Sequence, residues 1–324
     1  MERKEYRPIP DVECLKYHGT PEKPDIKIFV SHRIDLDSET IDNPLYIPVR
    51  CGAVYDKREN ISMLGDDTGE NISERRTTFN EFTVLYWAWK NVEADYYGLC
   101  HYRRYIAFPE STLTPDPYGN VLFDSFDCDS VYVAGLLNQR LMRRTIARSD
   151  MIISEPYDVT YRNFANIREH YVEVPTQHAK DLEVAVQVIK DCCPEYLEAA
   201  EEYFNGKLFY PCNLFLMKRE IFDEYCNWIF PILFELEKRI DITNYDETER
   251  RVVGFLGERL LGVFYLYYRK LHPQGNYLVL QRTLFLENKG VGTIRLSLHS
   301  HIKKIIPKDT PLYAVLKKVY RIFK

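Results

Sequence analysis

The sequence predicts an α/β fold built on a mixed, mainly parallel sheet with helices on its faces. Three short apolar runs predict it, Ile26–Val30, Tyr96–Cys100 and Met151–Ile153, with helical segments set between them. Ile26-Lys27-Ile28-Phe29-Val30 is nearly continuous in apolar side chains, as a strand buried on both faces must be, and ends in polar Ser31, His32 and Arg33. Ligands of open α/β sheets gather beyond such carboxyl ends, so Ser31 and His32 are candidates to line a site.

A polar, turn-rich loop, Gly65-Asp66-Asp67-Thr68-Gly69-Glu70-Asn71, leads to a helix that Asn80 is placed to cap. Phe82, Leu85, Tyr86 and Trp89 recur there at helical spacing and form its core stripe. Tyr96–Cys100 and Met151–Ser154 follow as strands. Pro194 suits a helix first turn and Gly206 a helix end, and Leu208–Met217 returns to strand character. A long helix is expected over Arg219–Arg239 with a break or kink at Pro231, and another from about Asp246 into Tyr268. No internal repeat is present.

Three regions are expected. Residues 1–24, with four prolines, read as an extended arm, residues 25–290 as the folded domain, and residues 291–324 as a basic amphipathic tail. From Arg295 the tail carries eight Lys or Arg against Asp309 alone, interleaved with Leu312, Val315, Leu316 and Val319. Such a segment suits an anionic membrane surface, so a cytoplasmic chain peripheral to the inner leaflet is expected. Neither a secretion signal nor a membrane-spanning segment is expected, since the N-terminus lacks an apolar stretch and Glu258 and Arg259 interrupt the most apolar late one.

The net charge of −5 argues against nucleic acid as a partner. The eight cysteines form no Cys-x-x-Cys pair and read as reduced thiols. Dehydrogenase, kinase, zinc-protease and hydrolase readings lose their usual support, because no Gly-x-Gly-x-x-Gly, Walker, His-Glu-x-x-His or Gly-x-Ser-x-Gly pattern occurs.

Three clusters could carry chemistry. His101-Tyr102-Arg103-Arg104 follows the second strand, where cations are costly to bury without an anion to meet them. Forked arginine hydrogen bonds suit a phosphate or diphosphate, although an internal ion-pair network would use the same residues. Glu258-Arg259 interrupts an apolar helix, and Glu258 could serve as a base or simply face solvent. Asn213 enters an apolar strand and needs polar partners, while His170 and His178 flank Pro175 and could line the same cleft. The two Asp-x-Asp triplets, Asp35-Leu36-Asp37 and Asp127-Cys128-Asp129, are of a kind that chance supplies.

The pieces Asn71-Ile72-Ser73, Glu81-Phe82-Thr83 through Tyr86-Trp87-Ala88-Trp89-Lys90-Asn91, Gly98-Leu99-Cys100-His101-Tyr102-Arg103-Arg104-Tyr105, Asn213-Leu214-Phe215 and Gly254-Phe255 with Glu258-Arg259-Leu260 occur in one order. In that series the chain resembles a bacterial family of capsular and exopolysaccharide biosynthesis proteins, long catalogued as a domain of unknown function and later grouped with glycosyltransferases. The resemblance implies the A-type glycosyltransferase architecture and transfer of a hexosyl residue, with galactofuranose from its uridine diphosphate donor as the expected sugar. It also implies a lipid-linked glycan acceptor and no tightly bound cofactor; a divalent metal is possible but not favoured. The matching residues are Asn71, Trp89, Lys90, His101, Arg103, Arg104, Asn213, Glu258 and Arg259. On this reading Ser31, His32, Asn71, Lys90, His101, Arg103, Arg104 and Arg259 hold the donor, Asn213, Trp89, His170 and His178 the acceptor sugar, and Glu258 is the base of an inverting reaction. The alternative is a non-catalytic nucleotide-sugar- or glycan-binding subunit of a polysaccharide assembly complex.

Overall fold

The computed structural model describes residues 15–16, 19–59, 61–174, 176–287 and the short strand at 293–294. The tail from Arg295 and the arm before Leu15 lie outside the described residues. Of the arm, Leu15 is buried, and the Gly19 and Asp25 N–H groups both donate to one oxygen of Asp95, at 2.8 and 2.7 Å.

The strands are β1 (Ile26–His32), β2 (Thr40–Ile41), β3 (Tyr46–Arg50), β4 (Leu64–Gly65), β5 (Tyr96–His101), β6 (Arg104–Ile106) and β7 (Asn120–Ser125). They continue with β8 (Met151–Ser154), β9 (Tyr157–Asp158), β10 (Leu208–Phe209), β11 (Phe215–Lys218), β12 (Tyr277–Leu280), β13 (Arg282–Glu287) and β14 (Thr293–Ile294). The helices are α1 (Arg76–Phe79), α2 (Phe82–Asn91), α3 (Cys128–Val133), α4 (Gln139–Ile146), α5 (Ile167–Val172), α6 (Ala179–Cys192), α7 (Leu197–Asn205), α8 (Arg219–Arg239) and α9 (Val252–Leu271).

The main sheet runs β12-β8-β11-β5-β1-β3-β4, and every neighbour pair is parallel except the two that β11 makes. A tight turn at Tyr102-Arg103 sends β6 back from β5; β6 then pairs with β13, and β13 with β7. Side chains alternate across the sheet, as the period of two requires. Phe29, Leu99, Phe215 and Met217 join the larger core with α2, α6, α7, α8 and α9, while Ile28, Val30, Cys100 and Leu216 join a smaller one with α3 and α4.

Some local expectations need correction. Asn80 does not cap α2: it ends α1 at φ 52°, and Glu81 stands at the N-cap. Pro231 does not break α8, which runs unbroken through it. Leu208–Met217 is two strands joined by a turn, not one strand.

Helix α9 lies close on α2 and α8 because Gly257 has no side chain. A Cβ there would stand 2.4 Å from Cε2 of Phe82 and 3.3 Å from Cδ2 of Leu233. Gly257→Ala is expected to destabilise the fold by about 1–3 kcal/mol, the usual cost of overpacking, read as a lower urea midpoint. An unchanged midpoint would mean that the helices separate freely.

Candidate active site

The carboxyl ends of β1, β3, β5, β8 and β12 and the entry to β11 share one edge of the sheet. Ser31 pairs with His101 there, and the Tyr102 N–H donates to the Ser31 carbonyl at 3.1 Å. The turn beyond His101 presents two arginines. Arg103 reaches the Leu286 carbonyl at 3.3 Å and lies 5.1 Å from the Tyr102 ring centroid, and its buried Nε has no partner among the described residues. Among the described residues neither Arg103 nor Arg104 forms an ion pair with a carboxylate.

Beside this turn the chain enters β11 through Cys212 and Asn213, both left-handed at φ 74° and 48°. Asparagine tolerates this region; cysteine is strained in it, at about 1–3 kcal/mol, and such strain persists only where surroundings enforce it. Three side chains do so. Oε1 of Glu258 accepts the Cys212 N–H at 2.5 Å, Nε2 of His101 lies 2.6 Å from the Cys212 carbonyl, and Nδ2 of Asn213 donates to Oε1 of Glu81 at 2.7 Å. A carbonyl only accepts, so His101 carries its proton on Nε2. Asn213 is fully buried, and its Oδ1 has no partner among the described residues.

Glu258 also accepts from Nη1 of Arg259 at 2.9 Å. Arg259 is 2% exposed, and its guanidinium lies 3.7 Å from the Phe209 ring centroid. Its ion pair with a partly exposed carboxylate and its aromatic bed together allow that burial. A second buried arginine, Arg282, donates to Oδ1 of Asn120 at 2.8 Å and to the carbonyls of Glu155 and Tyr118. Burial lowers its pKa, and Cys212 and Tyr157 are among the groups that act on it.

The remaining expected site residues are distributed more widely. Ser31 and His32 are buried at the β1 end, and Nδ1 of His32 is 2.5 Å from Oγ of Ser38. His170 shares a hydrogen bond with the Tyr157 hydroxyl and packs on Phe209. His178 stands 3.1 Å from Oε1 of Glu249, and the neighbouring Gln177 accepts from Arg259 at 3.5 Å. Asn71 closes its own loop, accepting from the Ser73 N–H at 3.2 Å and donating to the Gly69 carbonyl at 3.0 Å. Trp89 and Lys90 lie toward the far end of α2: Phe82 sits against Gly257, and Lys90 is eight residues on, about 12 Å along the axis. There Trp89 stacks on Phe230 at 5.5 Å, and Lys90 lies 3.6 Å from the Trp89 ring centroid.

The sequence assigns no role to Glu81, Cys212, Arg282 or Asp66. Asp66 is fully buried and accepts from the Gly52 and Ala53 N–H groups, both at 2.8 Å, and from Ser73 and Thr83, both at 2.5 Å, so it fixes the loops behind β3 and β4. Its place in the turn-rich loop was the available signal.

The Asp-x-Asp triplets have structural work. Asp35 pairs with Arg33 and Arg76, Asp37 with Arg58, and Asp127 caps α3. No cluster of three His, Cys, Asp or Glu side chains suited to a metal occurs among the described residues. A cleft of about 470 Å³ lies at the opposite edge of the sheet, lined by Asp150, Lys218, Tyr268, His272 and Tyr277. Within it Asp150 pairs with Lys218 at 2.5 Å and accepts the Asn276 N–H at 2.7 Å.

The histidines set a pH dependence. Burial, helped by the charge of Arg58, lowers the His32 pKa from 6.5 to about 3; burial, with Arg259 and Arg162 nearby, lowers that of His170 to about 4. Both are neutral in the fold and bind protons more readily when unfolded. Their contribution is therefore complete above pH 6.5 and is lost as pH falls toward 4 and below. Urea unfolding is expected to show a midpoint that declines across this range, less steeply in His32→Asn; equal slopes would remove His32 from the account.

Residues 27–270 match the family described as domain of unknown function DUF4422. The chain belongs to that family. No curated protein matches this DUF4422 chain. Among solved structures, it is similar to the apo form of the bifunctional glycosyltransferase WbbM, with 30% identity and a TM-score of 0.77. The match covers 85% of this chain and 48% of the other, so the DUF4422 chain spans about half the length of that protein. Its mainly parallel sheet flanked by helices is a glycosyltransferase fold. Among the described residues no helix is long and apolar enough to cross a membrane.

Proposed function

We propose that the chain is a nucleotide-sugar-dependent glycosyltransferase. The observation that carries this is the Tyr102–Arg104 turn, where two arginines without carboxylate partners among the described residues meet the strand ends of β1 and β5. The likeness to a bifunctional glycosyltransferase supports the class. In this reading Arg103 and Arg104 bind the donor diphosphate and stabilise the charge it gains as it leaves. Ser31, His32 and His101 border the nucleotide.

The acceptor hydroxyl oxygen forms a bond to the anomeric carbon while the bond from that carbon to the diphosphate oxygen breaks. The bonding electrons leave with the diphosphate, and the hydroxyl proton passes to Glu258, giving inversion. Glu258 accepts one hydrogen bond on each oxygen, from the Cys212 N–H and from Arg259, and the proton goes to a remaining lone pair. The finer proposal names a hexosyl donor, best uridine diphosphate galactofuranose, and a lipid-linked glycan acceptor in capsule, exopolysaccharide or O-antigen synthesis. It also has the basic C-terminal segment bring the cytoplasmic chain to the inner leaflet. These particulars rest on the family resemblance and on the sequence.

The test is release of nucleoside diphosphate from a panel of nucleotide sugars, with and without chelator. Turnover that survives chelator is expected, because arginine carries the charge that a divalent ion otherwise supplies. Loss in chelator would overturn the metal-free form, and donor binding with no turnover would favour a binding subunit.

A further inference from the structure

Beyond the donor side, we infer that the ledge formed by Tyr118, Tyr161, Arg162 and Phe164 is a glycan-binding subsite that receives the acceptor; as an acceptor site it rests on the transferase reading above.

The sheet order places it. β8 lies two strands from β5, about 10 Å away across β11, and its carboxyl end is on the same edge as His101. The chain leaving β8 turns into β9, which pairs with β10, and then into the short helical turn at Val159–Arg162. The charged turn after β5 and this ledge after β8 therefore flank the Cys212-Asn213 entry to β11 on opposite sides.

A line of contacts connects the ledge to the buried arginine. Arg259 lies on Phe209, whose ring is 5.5 Å from that of Tyr157, and Tyr157 meets Tyr118 edge-on at 6.0 Å. The Arg162 guanidinium is 5.9 Å from the Tyr118 ring centroid and 5.7 Å from that of Phe164.

The exposure of the ledge calls for a ligand. Tyr161 is 72% and Tyr118 42% exposed, and Leu208 beside them is 51% exposed. Single exposed apolar side chains are ordinary, but here Tyr118 and Phe164 both meet the exposed guanidinium of Arg162, with Tyr161 next to it in the chain, on the edge that carries the site. Arg162 is exposed and pairs with no carboxylate among the described residues, although the chain as a whole is acidic. Sugars present an apolar C–H face that an aromatic ring covers, with hydroxyls at the rim for which a guanidinium supplies donors. Among the described residues none of these four side chains contacts Arg103 or Arg104, so the ledge is assigned to the glycan and not to the diphosphate.

The test is saturation-transfer NMR on the full chain with the methyl glycosides of glucose, galactose and mannose at millimolar concentration, with uridine diphosphate binding measured in parallel by calorimetry. At least one glycoside is expected to receive saturation. Its Kd should rise tenfold or more in the Tyr118→Ala/Tyr161→Ala double variant and stay within twofold in Tyr161→Phe, while the thermal midpoint and uridine diphosphate binding hold. No saturation with any glycoside, or equal binding by the double variant, would overturn the subsite. Glycoside binding that depends on these tyrosines in a protein that turns over no donor would keep the subsite and discard the transferase reading.

Discussion

Replacing Arg103 and Arg104 together by alanine is expected to lower turnover of the nucleotide-sugar donor about 100- to 1000-fold, the range seen when a charge-stabilising donor is removed from a transition state. Stability should change little. Arg103 makes one long bond to a carbonyl, and neither side chain has an ion pair to lose among the described residues. Lysine at both positions should recover only part of the loss, because a point charge does not reproduce the two parallel hydrogen bonds of a guanidinium. Initial rates against donor concentration, with a urea midpoint for each variant, check this. Full activity in the alanine pair would remove the turn from the mechanism.

Glu258→Gln is expected to reduce kcat about 100- to 10,000-fold, the usual contribution of a positioned base. The amide oxygen can still accept the Cys212 N–H, so the left-handed turn should survive. Arg259, 2% exposed, would lose the carboxylate it pairs with, and about 3–5 kcal/mol of stability is at risk, the cost of breaking a buried pair. The two effects separate in the measurement: stability falls in either case, but a kcat within a few-fold of the parent would leave Glu258 a purely structural role. Glu258→Ala should additionally free the Cys212 N–H and raise KM as the turn relaxes.

Much of the frame was legible because buried strands have continuous apolar runs. β1, β5 and β8 fall where Ile26–Val30, Tyr96–Cys100 and Met151–Ile153 predict them, and a cluster of cations just past β5 stands out against its apolar neighbours. Strand direction leaves no such mark, so nothing in Phe215–Lys218 shows that β11 alone runs against its neighbours in the main sheet. The left-handed pair before it was equally hidden: only Asn213 hints at it, and Cys212 argues for a continuous strand. Its supports are distant in sequence. Glu81 stands 132 positions from Asn213, and Glu258 lies 46 from Cys212, so neither appears as a neighbour until the chain is folded. Trp89 and Lys90 show the converse: they lie close in sequence to Phe82 and Glu81, yet the rise of α2 carries them about 12 Å away from the end of the helix that faces Gly257. Pro231 is accommodated within α8, whose flanking residues Phe230 and Ile232 are both buried in the core, so packing outweighs the local penalty.

In the proposed function the edge formed by β1 and β5 receives a nucleoside diphosphate on arginine. A crystal of the protein soaked with uridine diphosphate tests it directly. The diphosphate is expected within hydrogen-bond distance of the Arg103 or Arg104 guanidinium, with the nucleoside toward Ser31 and His32. Density for the nucleotide in the cleft beside Asp150 and Lys218, or none at the β5 turn at saturating concentration, would contradict it.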